Sequence, residues 1–78
     1  MIETSRRTIR VLKNSALNRV RSGVPAISVD RTAGFLARRG EKTSARKVAE
    51  ALARKVNSLA SPDEIAKFFD ELEVKVPA

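Results

Sequence analysis

Residues 38–47, RRGEKTSARK, gather Arg38, Arg39, Lys42, Arg46 and Lys47 around two hydroxyls, Thr43 and Ser44, with Glu41 as their single acid. Guanidinium and ammonium groups beside hydroxyl donors are the chemistry of anion binding, and phosphate matches the planar Arg fork well. Other chemistry has little material to work with. The chain has no Cys and no His, which removes thiolate and imidazole ligands, a thiol nucleophile and the commonest general base. Its three glycines, at 23, 34 and 40, are too far apart for a phosphate-cradling loop. Asp63, Glu64, Asp70 and Glu71 lie on the polar side of a helical pattern, where carboxylates are ordinarily just solvated. The reading is a binding protein and not an enzyme, with no metal or cofactor implied.

Charge points the same way. Sixteen basic against nine acidic residues give +7 and a pI near 10.9. Residues 1–60 hold fourteen basic and four acidic residues, a balance of +10, whereas residues 61–78 hold two and five, a balance of −3. Clustered Lys and Arg at so high a pI are the electrostatic footprint of a nucleic-acid binder. Aromatic stacking of single strands finds little support, because only Phe35 stands off an apolar stripe.

The elements that must carry these charges are helical. Seventy-eight residues make one small domain, and Leu, Ile, Val and Phe together number only 21, so a second copy or a partner is expected to help stabilise it. No apolar run approaches the roughly 20 residues of a membrane span and no leader-like stretch opens the chain, which predicts a cytoplasmic protein. A first helix is predicted from about Ser5 to Arg21, with Ile9, Leu12, Ala16 and Val20 as its stripe; Arg6, Arg10 and Arg21 lie away from it, and Arg7 and Lys13 lie at its margins. Ser22-Gly23 supplies a left-handed stop. A second helix, about Ser28 to Arg39, has Val29, Ala33 and Leu36 as a stripe. Gly34 in its middle costs about 1 kcal/mol unless a neighbouring backbone needs the room.

The third helix, Ser44 to Leu59, is capped by Thr43 or Ser44 and buries Ala45, Val48, Ala49, Leu52, Val56 and Leu59; Glu50 is placed to pair with Arg54. The fourth opens with the capping box Ser61-Pro62-Asp63-Glu64 and presents Ile65, Phe68, Phe69 and Leu72. Glu73 to Ala78 reads as a short extended tail. The chain is therefore expected to be an all-α bundle of about four short helices, with residues 1–4 and 73–78 flexible.

A helix–turn–helix-like pair is the architecture to test. With Gly40 as its turn glycine, a tight motif would put Arg46 where an apolar core residue belongs, so only a longer turn fits. Residues 23–31, GVPAISVDR, resemble the turn and second-helix start of many repressors. Gly23, Val24, Val29 and Arg31 fit that outline, whereas Arg19, Pro25 and Thr32 depart from it. Nine residues assign no family.

The expected function is duplex DNA binding by a small regulator or accessory factor, with phosphate contacts from Arg6, Arg10, Arg38, Arg39, Lys42, Arg46, Lys47 and Arg54. Thr43 and Ser44, with Arg46 and Lys47, would approach the bases at the start of the third helix, where the helix N-terminus also attracts phosphate. A homodimer through Ile65, Phe68, Phe69 and Leu72 is expected, since two adjacent phenylalanines are hard to bury in so small a monomer. The competing readings are an adaptor or inhibitor whose basic face docks on an acidic protein, and an RNA- or ribosome-binding protein.

Overall fold

A computed structural model describes residues 5–39, 42–59 and 61–76, with the side chains of Lys42 and Thr43 outside the description. Four helices are formed: α1 (Arg6–Arg21), α2 (Val29–Ala37), α3 (Lys42–Val56) and α4 (Pro62–Val74). No strand occurs among the described residues. The all-α expectation holds. The closest packing is of α2 on α3 and of α1 on α4, so the domain consists of two helix pairs around a shared core.

Local chemistry explains the boundaries. Ser5, Ser28 and Ser61 each have extended backbone, and their hydroxyls accept from Thr8, Arg31 and Glu64 N–H groups, satisfying donors that a helix start leaves unpaired. α1 ends in a Schellman turn: Gly23, at φ +80°, donates to the Val20 carbonyl and Val24 donates to that of Arg19. Gly34 answers to no such demand. A Cβ there would meet nothing within 4 Å, so the room is not needed by a neighbouring backbone.

The core is built from Ile9, Leu12 and Ala16 of α1, Leu36 of α2, Ala45, Ala49 and Val56 of α3, and Ile65 and Phe69 of α4, closed by Ala26 and Ile27 of the α1–α2 connection. That connection is tied to the end of α3 by one side chain. Asn57 accepts from Ile27 N–H at 2.9 Å and donates to the Ile27 carbonyl at 3.1 Å, replacing the ladder that a lone extended residue lacks.

Several expectations are corrected. α3 begins at Lys42 and ends at Val56, so Thr43 and Ser44 lie inside it and do not cap it. Val48 is 38% exposed, because the apolar arc of α3 is wider than the surface α2 offers it. On α2 it is Thr32 and Leu36 that are buried, with Val29 and Ala33 half-buried. The expected extended tail is helical at Glu73 and Val74, and Lys75 and Val76 turn back on backbone hydrogen bonds to Leu72 and Glu73. Residues 1–4, 77 and 78 lie outside the described residues. The α1–α2 connection spans residues 22–28, longer than the three- or four-residue turn of a tight helix–turn–helix.

The fourth-helix face also differs from its expected role. Ile65 and Phe69 are buried within the chain, Phe69 completely, and Phe68 meets Phe69 edge-on at 5.2 Å. Packing edge to face lets one ring close the core while the other stays half-buried at its border. Ile65 and Phe69 are therefore core residues of the single chain, and of the four only Phe68 and Leu72 are partly accessible.

Candidate nucleic-acid interface

The basic residues do not form one face. On α1 they divide into two rows. Arg10 and Lys13 look toward α4, where Arg10 reaches Glu73 at 3.7 Å and Lys13 bonds Asp70 at 2.7 Å. Arg6 lies near the same seam and donates from Nε to the Val76 carbonyl at 3.1 Å. The acidic fourth helix thus neutralises this side of α1 and fastens the chain end to it.

On the other side of α1 the charge meets no such answer among the described residues. Arg7, Val11, Ser15 and Arg19 follow one another at four-residue spacing, and such a row lies along one helix surface. Arg31, Phe35 and Arg39 form the matching row at the α2 border. The two rows flank a groove made of two neighbouring depressions that share Val11. One is lined by Ser5, Arg7, Thr8, Val11 and Arg39; the other includes Val11, Ser15, Arg19, Ser28, Arg31 and Phe35. No carboxylate occurs among the described residues that line either. Arg7 to Arg19 spans twelve residues, about 18 Å of helix.

Two features prepare this groove for an anion. Arg7 sits in the first turn of α1, which contains no acid, so the positive end of the helix adds to the guanidinium instead of being offset. The Arg39 guanidinium stacks 3.8 Å above the Phe35 ring, and its Nη1 donates to the Phe35 carbonyl at 3.3 Å. Stacking fixes the plane of the fork and leaves further N–H groups for a ligand. Arg19 is likewise oriented, through Nε, by the Pro25 carbonyl at 2.9 Å.

The segment RRGEKTSARK contributes one certain member to the groove, Arg39. Arg38 is the exposed C-cap of α2. Gly40 and Glu41, and the side chains of Lys42 and Thr43, lie outside the described residues. Arg46 stands apart from the groove and bonds Asp30 at 3.0 Å, with Glu50 at 4.0 Å. An anion does accompany Arg46, which lies in the second turn of α3 and not the first, but it is a carboxylate from α2. Glu50 accordingly pairs with Arg46 and not with Arg54 as expected. Ser44 is half-buried, and Lys47 and Arg54 are exposed on α3 away from the groove-lining residues. The structure therefore brings Arg39 together with Arg7, Arg19 and Arg31, which the search for apolar stripes passed over. Their signal was present in the four-residue spacing of 7-11-15-19 and 31-35-39.

No protein-family model, curated protein or solved structure matches this chain. Among the described residues, no helix is long and apolar enough to cross a membrane.

Proposed function

We propose that this protein binds duplex nucleic acid, DNA first of all, by laying the phosphate backbone along the α1–α2 groove. The observation that carries the reading is the set of four arginines, Arg7, Arg19, Arg31 and Arg39, lining a groove in which no described residue is acidic. Each guanidinium offers a fork that matches two phosphate oxygens, and Ser5, Thr8, Ser15 and Ser28 place hydroxyls among them. The acidic outer surface of α4 would stay turned from the duplex, where it repels phosphate and helps to orient the domain. A role as a small regulatory or accessory factor is the extension of this reading. Phosphate contacts position a protein without reading sequence, so binding is expected to be largely indifferent to base composition.

The test is a salt titration. Binding to a fluorescent duplex of about 20 base pairs should weaken with a log–log slope of roughly −3 to −4, at about −0.9 per phosphate contact. Binding that does not change with salt, or no binding at about 50 mM salt, contradicts the proposal.

A further inference from the structure

A second groove lies between the two helix pairs, and its chemistry is opposite to the first. It encloses about 500 Å³, and core side chains of α1 and α2 form its floor. Its walls are Val48 and Leu52 of α3 and Phe68 and Leu72 of α4. Lys55 on the α3 side and Lys75 just after α4 are the only charged residues among the described ones that line it. Glu64 and Glu71 stand beyond Lys55 and Phe68, in a separate depression. An apolar groove whose walls are partly exposed is costly to leave in water unless something covers it.

Shape and charge identify the cover. Val48 to Lys55 is seven residues, about 10 Å of α3, the length over which a docked helix presents anchors at i, i+4 and i+7. The lysines at its borders favour acidic residues beside those anchors. A second copy of the chain is a poorer fit. Grooves brought face to face would oppose lysine with lysine, and the walls offer four large apolar side chains, short of what a standard-size interface requires. We propose that this groove receives an acidic amphipathic helix of a partner protein. Nucleic acid would then be held on the α1–α2 side while the partner occupies the space between the helix pairs. The proposal stands independently of nucleic-acid binding.

The probe is a fluorescein-labelled peptide of about 15 residues, rich in Glu, with Leu at i, i+4 and i+7; a scrambled isomer has the same composition, and a third version carries Lys for Glu. Anisotropy should show the amphipathic acidic peptide binding at least about tenfold more tightly than the scramble, with the Lys version weaker still. Val48→Asp places a charge on an already exposed wall residue and should raise Kd about tenfold without changing the melting temperature. Lys75→Glu, on the exposed end of α4, should raise it severalfold and serves if Val48→Asp impairs folding. Equal binding of the scramble, or normal binding by whichever variants fold, overturns the proposal. So does wild-type dimerisation at tens of micromolar, measured by sedimentation equilibrium, that Val48→Asp or Lys75→Glu abolishes, because a second copy would then be the cover.

Discussion

The two sides of α1 carry the same kind of residue to different ends. Toward α4, Arg10 and Lys13 are matched by Glu73 and Asp70, so their charge is spent inside the molecule as a seam between first and last helices. Toward α2, Arg7 and Arg19 face Arg31 and Arg39 across a groove that no described acid lines. Net charge therefore says little about where a polyanion would lie. What decides is which cations lack a carboxylate within reach, and that is set by the packing of helices far apart in sequence. Like charges held close together also raise the electrostatic cost of the empty groove, a cost that phosphate would relieve.

The largest expected effect tests whether the seam and the groove rest on one core. Phe69→Ala should cost about 3–5 kcal/mol, because a fully buried ring leaves a cavity under both helix pairs. Chemical denaturation should show that loss as one transition, and two separated transitions would mean that the pairs fold independently. Asn57→Ala should come next, at about 1–3 kcal/mol, by leaving the Ile27 N–H and carbonyl without their partner. Since Asn57 holds the connection that seats α2 beside α1, hydrogen exchange should rise around Ile27 before it rises at the α1–α4 seam.

Smaller effects sharpen the comparison. Gly34→Ala should stabilise by about 0.5–1 kcal/mol in a thermal melt, because the added methyl meets no atom and α2 gains propensity. A destabilised variant would show that α2 needs freedom at this position. Lys13→Ala should cost only about 0.2–1 kcal/mol, a loss that shrinks in high salt, since Asp70 is largely exposed. A cost above that range would make the ion pair, and not the apolar packing beneath it, the main support of the seam.

The helices themselves were legible because their signals are local. The stripe Ile9-Leu12-Ala16-Val20, half-buried at Val20, the capping serine at 61 and the Ser22-Gly23 stop each act within one or two turns, and each lies where its local chemistry puts it. The site was less legible because pairing is not local. Glu73 lies 63 residues from Arg10, so nothing near that arginine in the sequence marks it as neutralised, and the shorter of the two contacts of Arg46 is with Asp30, 16 residues away, and not with its neighbour Glu50. Asn57 gave no warning either, as an isolated amide near a helix end has many uses. The fourth-helix face misled for a related reason. Adjacent Phe68 and Phe69 suggested surplus apolar surface, but a single edge-to-face contact places one ring inside and one at the border.

The central claim is that position, and not number, of arginines determines binding. It is tested most directly by comparing Arg7→Glu/Arg31→Glu with Arg10→Glu/Lys13→Glu on the same fluorescent duplex, at equal net charge. Both pairs should first be checked for folding by circular dichroism, with Arg7→Ala/Arg31→Ala and Arg10→Ala/Lys13→Ala compared instead, again at equal net charge, if the seam opens. The groove pair should weaken binding by about a hundredfold or more, and the seam pair by no more than about tenfold, the part owed to net charge alone. Equal losses from the two pairs would contradict the account, for they would show that the duplex responds to total charge and not to the α1–α2 groove.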